Sequence, residues 1–279
     1  MKTPQPDPSL NIPAAAPSRK IIYDFGANNG DDLPYYLKKA DLVVAVEANP
    51  TLCATIQERF AADIEADRLR VENCVLVAED EAPEVHFHLH KRHHVLGQFP
   101  RPAESVIGDY DRVTLPSQSV MRILEKHGAP FYIKLDIEGY DEVILREILR
   151  NHVRPPYLSA ESTSIHVFAL LAGLGGYAAF RLVEGATVAE KFKNHPIAVH
   201  GSRELYSFPP HSSGPFGEDL GGEWMSADDF FPVLASKGMG WRDIHATSLI
   251  QPDSTSRAQS RRLMLRHLRG WLAAKFRSR

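Results

Sequence analysis

The chain has 279 residues, of which 43% are hydrophobic, 24% charged and 9% aromatic, and a net charge of −3. That length admits one large domain or one domain with extensions, and the composition excludes disordered, collagenous and disulfide-scaffold classes. The near-balance of 32 basic and 35 acidic residues argues against a wholesale nucleic-acid binder, and two cysteines without C-x-x-C spacing fit a reducing cytoplasm.

Residues 1–19 carry five prolines and no apolar run, so they read as a disordered leader that is neither a signal peptide nor a membrane span. From Lys20 onward, short apolar runs alternate with helical stretches, which predicts an α/β fold with a parallel sheet covered by helices. A first strand is expected at 20–25. A helix follows Gly30, with Asp32 as its N-cap and Pro34 in its first turn. Strands at 42–47 and 69–77, with a helix opened by Asn49 and Pro50 between them, complete one βαβαβ half. Segments 84–90 and 113–115 read as added strands. Ser117 is the expected cap of a helix that Gly128 ends. Further strands are expected at 131–136, 157–161 and 177–183, with helices to Arg150 and over 164–174 between them. Segment 201–229, rich in Gly, Pro and Ser, reads as disorder or a functional loop, and a helix follows over 227–236. These elements make one domain over 20–256, with insertions at about 84–115 and 201–229. A basic amphipathic helix, 257–279, closes the chain.

The turn Asp24-Phe25-Gly26-Ala27-Asn28-Asn29-Gly30 joins a buried strand to a helix, and its glycines let a ligand approach the main chain. Asn28 stands where a dinucleotide fingerprint needs its second glycine, so a pyrophosphate would meet a side chain. A carboxylate two residues before the first glycine suits an ammonium or sulfonium instead, and S-adenosylmethionine carries both. Glu47 closes the second strand, where an acid in such folds accepts ribose hydroxyl hydrogens.

With VVAVEANP and KLDIEGYDEVIL, the turn DFGANNG resembles the FkbM-type family of S-adenosylmethionine-dependent O-methyltransferases over about residues 20–165. The resemblance implies a Rossmann-like class I methyltransferase fold, a seven-stranded mostly parallel sheet with helices on both faces. It also implies methylation of a hydroxyl on a sugar, glycan or other small acceptor. Asp24, Gly26, Ala27, Asn28, Gly30 and Glu47 fall on its cofactor-binding positions. Asp31 and Asp32 stand where the family's continuation is more apolar, and Asp141 where Glu is more usual.

Lys134, Asp136 and Glu138 alternate, so they leave one strand face at the carboxyl end of the sheet, where ligands of such folds bind. Asp136 and Glu138 are the expected acceptor-side carboxylates, and Glu161 is a second candidate base. Lys134 either tunes the acceptor hydroxyl or Asp136, or forms an internal ion pair between strands. No metal is expected, the alternative being a divalent cation held by Asp136 with Glu161. The histidines 86, 88, 90, 93 and 94 read as a solvated strand face, and Cys53 and Cys74 as core thiols. His211, Glu218, Asp219 and Trp224 are either an aromatic plate for a sugar-like acceptor or surface loop.

From Arg257 to Arg279 there are eight basic residues and no acidic one, so an acidic body carries a basic tail. Leu265, Leu268, Leu272 and Phe276 form a stripe that docks onto the body or a second subunit, or onto an anionic membrane surface. Two further readings remain at this level. One is a nicotinamide-dependent Rossmann oxidoreductase, and the other is a non-catalytic cofactor-binding module acting through its tail.

Overall fold

The computed structural model describes residues 19–79 and 82–252. Apart from Arg19, the expected leader lies outside the described residues, and so does the expected basic helix. Among the described residues, seven strands form one sheet: β1 (Ile21–Phe25), β2 (Leu42–Glu47), β3 (Leu69–Asn73), β4 (Tyr132–Leu135), β5 (Tyr157–Ser162), β6 (Ala179–Glu184) and β7 (Gly240–Thr247). Their order is β3-β2-β1-β4-β5-β7-β6. Neighbours run parallel except β7, which is antiparallel to both β5 and β6. This is the parallel sheet that the alternation predicts, with the seven strands that the resemblance implies. Strands β1, β2 and β4 are buried on both sides, which is why each reads as an almost unbroken apolar run. The chain works outward from β1 to β3 and then returns to β4 on the other side of β1. Their carboxyl ends therefore flank the switch point, where a crevice opens.

Helices α1 (Leu33–Lys39), α2 (Pro50–Arg59), α3 (Val120–His127), α4 (Asp141–Arg150), α5 (Ile165–Ala169) and α6 (Ala227–Lys237) cover the sheet. One face packs Tyr23, Phe25, Val44, Ile133 and Leu135 against α3 to α6, through side chains such as Ile123, Ile144, Phe168 and Phe230. The other face, which carries Ile22, Val43, Ala45 and Tyr132, meets α1, Ile56 of α2 and the segment 192–224. Among the described residues no helix is long and apolar enough to cross a membrane.

Three expectations need correction, and of the two readings open for 201–229 disorder is excluded. The 69–77 run is two strands, because β3 ends at Asn73 and Val75–Val77 leaves the main sheet. It pairs instead with Tyr110–Ser119, which also pairs with Glu84–His90, in a small side sheet around Phe87 and Leu115. Ser117 lies in that strand; the cap of α3 is Ser119, whose hydroxyl accepts from the Arg122 N–H. Asp32 sits at the N-cap of α1 without capping it. Its carboxylate accepts from the Ser212 hydroxyl and the Ser213 N–H, 180 and 181 residues away. Segment 201–229 is built rather than disordered: Ser202–Tyr206 pairs with His195–Val199, and Phe208, Phe216, Leu220 and Trp224 are buried against the sheet.

The sequence reading also missed β7. Its polar positions Asp243, His245 and Thr247 would face water on a half-buried strand, yet 243–247 are buried on both faces of the sheet.

Candidate active site

A cleft of about 730 Å³ opens at the carboxyl ends of β1, β2, β4 and β5. Its floor begins with the turn after β1. Gly26 has φ +86°, and a Cβ there would lie 1.8 Å from the Asp136 carbonyl oxygen, so the turns after β1 and β4 touch backbone to backbone. The N–H groups of Gly26 and Ala27 both donate to the Val46 carbonyl, which lashes the turn to β2. Gly30 does not line the cleft. It seats the turn on α1 and α2, since a Cβ would lie 3.0 to 3.1 Å from Leu33, Ile56 and Phe60.

Glu47 is held from both sides. Its Oε2 accepts from the Asn28 N–H and its Oε1 from the Asn49 N–H, each at 2.8 Å. Each oxygen keeps lone-pair capacity for a further donor. Burial pushes its carboxyl up to about 7 against the pull of those two bonds. Beside it, Asn28 adopts φ +50°, and its Oδ1 is buried without a partner among the described residues.

Asp24 and Lys134 stand opposite each other in the β1–β4 register. The Lys134 Nζ donates to the Gly26 carbonyl at 2.9 Å and lies 3.3 Å from Asp24 Oδ1 and 3.6 Å from Asp136 Oδ2. Burial alone would lower the ammonium's pKa, but Asp24 and Asp136 overcome it and hold the group well above its ordinary value. Lys134 is thus a fixed cation that pins the two turns. Asp24 is 1% exposed and does not border the cleft; it lies one layer below, facing Lys134.

Asp136, Glu138 and Glu161 line the cleft together with Lys134. β4 ends at Leu135, so the alternation does not continue through Glu138, which sits in a tight turn at φ +50°. Asp141 closes that turn by accepting from the N–H groups of Ile137 and Gly139, at 2.9 and 3.2 Å. Burial, then the charges of Asp136 and Asp141, push Glu138 up to about 8. Glu161, near the end of β5, is pushed up to about 9 by burial and then by Asp136 and Glu138. Asp243, its register partner on β7, is raised well above its ordinary value by burial and Asp136. Among the described residues no group of three His, Cys, Asp or Glu side chains is arranged to hold a metal ion.

The far wall comes from the side sheet and the segment after it: Phe87, His93, His94, Leu96 and Phe99 line the cleft. Phe99 meets Tyr140 edge to face at 5.1 Å, joining this wall to the turn after β4. The histidine tract is therefore not one solvated face, since His88 is buried and His93 and His94 border the cleft. Cys53 and Cys74 are free and buried, as core thiols should be. Of the residues expected as a plate, Trp224 and Asp219 are buried structural groups, whereas His211 lines the cleft, with Trp241 beside it. Asp243 and Trp241 escaped the sequence reading because they lie on the unrecognised β7.

A family model described as the methyltransferase FkbM domain matches residues 24–171. No curated protein matches the chain in sequence. Among solved structures the chain is similar to methyltransferase FkbM from Methylobacillus flagellatus KT, with 18% identity and a TM-score of 0.41 over 60% of this chain. That alignment spans only 40% of the relative's own chain. It is also similar to precorrin-6y C5,15-methyltransferase from Geobacter metallireducens GS-15, with 11% identity, a TM-score of 0.32, and coverage of 59% of this chain and 68% of that one. A third similar structure is a SAM dependent methyltransferase from Aquifex aeolicus, with 14% identity, a TM-score of 0.32, and coverage of 59% and 76%.

Proposed function

The chain belongs to the FkbM methyltransferase family, and from that premise we propose that it is an S-adenosylmethionine-dependent O-methyltransferase. Its acceptor is a hydroxyl on a sugar, glycan or other small molecule. A methyltransferase family sets aside the nicotinamide-dependent alternative. The observation that carries the proposal is the charge balance of the cleft. Asp136, Glu138 and Glu161 line it and Asp243 lies beside them, while of the Lys and Arg side chains that line it Lys134 is already engaged by Asp24 and the Gly26 carbonyl and Arg92 by Asp109. A ligand bearing an ammonium and a sulfonium supplies the charge that these carboxylates lack.

The donor set fits the rest of such a ligand. Glu47 has lone pairs left for the two ribose hydroxyls, and Asn28 Oδ1 is a free acceptor next to it. Gly26 and Ala27 bring main chain to the floor without side-chain bulk. Asp24 acts through Lys134 as a positioning residue. When bound, the cofactor supplies an electrophilic methyl carbon on a positively charged sulfur.

The protein's own work is to align the acceptor oxygen and take its proton. Until a cationic ligand binds, Glu138 and Glu161 favour the neutral acid, because burial and then neighbouring carboxylates raise both. A bound cation relieves that repulsion, and each becomes a carboxylate able to accept the hydroxyl proton at a side-chain oxygen. Asp136, beside Lys134, orients the acceptor from the turn after β4.

Calorimetry with S-adenosylhomocysteine tests the map. The native chain should bind it, and Glu47→Ala should bind about tenfold to a hundredfold more weakly, the loss of one or two hydrogen bonds to a charged group. Equal affinity in a variant that melts like the native chain would overturn the assignment of Glu47 to the ribose.

A further inference from the structure

Two aromatic side chains that the mechanism leaves unused stand in the same cleft. Trp241 and His211 both line it, with ring centroids 5.6 Å apart and planes 17° from parallel. At that separation the rings are stacked with an offset, so each covers only part of the other and aromatic surface remains open. Trp241 is 47% exposed, whereas Trp224 is buried.

Three local features converge on holding Trp241 there. The β5–β7 register shifts between Gly240 and Asp243, an irregularity that re-aims the side chains within it, and Trp241 lies inside it. The indole rests on Gly185, where a Cβ would come within 2.3 Å of its Nε1, so a position 56 residues earlier is emptied to receive the ring. His211 takes φ +67°, a backbone conformation that disfavours a residue with a side chain. An indole needed only to fill the core would require no such arrangement at an exposed position.

The neighbours narrow what the platform receives. Asp243, two residues after Trp241, is the register partner of Glu161, so the aromatic surface and the carboxylates of the cleft adjoin. An aromatic face takes the C–H face of a ring, and carboxylates take hydroxyl donors at its edge. A bare hydrocarbon would leave the carboxylates without donors, and an anion would be repelled by them.

We propose that Trp241 and His211 form the acceptor platform, specific for a hydroxylated saturated six-membered ring of the pyranose class, which lies on the indole with a hydroxyl turned toward Glu161. The proposal rests on the methyltransferase reading and goes beyond it by naming the surface that chooses the acceptor.

Saturation-transfer NMR on the full chain loaded with S-adenosylhomocysteine tests it, with methyl α-glucopyranoside, methyl α-rhamnopyranoside and methyl α-fucopyranoside as probes. Transfer to ring C–H protons of at least one probe is expected with the native chain. It should fall at least fivefold in Trp241→Ala, be partly kept in Trp241→Phe, and fall in His211→Ala. S-adenosylhomocysteine affinity should stay within twofold in all three variants. Native chain that binds S-adenosylhomocysteine but shows no transfer to any probe overturns the platform alone, as does equal transfer in Trp241→Ala. Native chain that fails to bind S-adenosylhomocysteine overturns the methyltransferase reading beneath it.

Discussion

Glu161 and Glu138 are recognisable in sequence as acids near strand ends, but their unusual proton affinity comes from what surrounds them. Folding raises Glu161 from 4.5 to about 9 and Glu138 from 4.5 to about 8, burial being the larger cause and neighbouring carboxylates the next. The folded state therefore prefers the neutral acids. Their contribution to stability is whole below the unfolded value of 4.5 and is lost as pH climbs through 8 and 9. The melting temperature of the ligand-free protein should fall between about pH 5 and pH 9, and Glu161→Gln should flatten that fall and melt above the native chain at pH 9. Thermal melts across pH check this, and parallel pH profiles for the two proteins would show that Glu161 is not the source. Asp24 teaches the complementary lesson. Its place before Gly26 marks it as part of the turn, yet spacing along the chain carries no information about depth, and it proves to be a buried partner of Lys134.

At the level of elements, the 69–77 run shows where local pattern stops deciding. Its apolar residues suit a strand throughout, but Asn73 donates through its side-chain amide to the Glu47 and Ala48 carbonyls, and beyond it the chain turns to a different partner strand. The resulting side sheet has a small core of its own, and Phe87 is its largest member. Gly97 lies against that ring, since a Cβ would be 2.9 Å from Cζ, and the segment 93–99 packed there forms the far wall of the cleft. Phe87→Ala should remove about 3 kcal/mol of local stability. Hydrogen exchange of amides in 84–90, 94–99 and 111–115 should accelerate by up to about a hundredfold, while amides of β1, β2 and β4 keep their protection. Uniform acceleration across both sheets would mean that the wall is not an independent unit.

Over the whole molecule, the segment 192–224 completes the cover of the second face of the sheet, alongside α1 and α2. Phe216 stacks on Tyr132 at 3.9 Å, and Asp219 gathers three donors at 2.8 Å: the Tyr35 hydroxyl, the Lys39 ammonium and the Ala198 N–H. Asp219→Ala leaves those donors buried or half-buried without their acceptor, which should cost about 3 kcal/mol and lower the melting temperature by several degrees. A melting temperature within a degree of the native value would show that the aromatic contacts alone hold the cover.

The sequence by itself determined the parallel core, the glycine turn after β1, Glu47 at the end of β2 and the carboxylates at the ends of β4 and β5. Each of these is written in a run of a few residues, through apolar periodicity, turn chemistry and motif spacing. Only the tertiary structure decided which face Asp32 serves, that β7 is inserted between β5 and β6, and that an indole on Gly185 stands in the cleft. Those outcomes depend on packing between residues from 56 to 180 positions apart, where steric room and an unpaired donor or acceptor choose the partner.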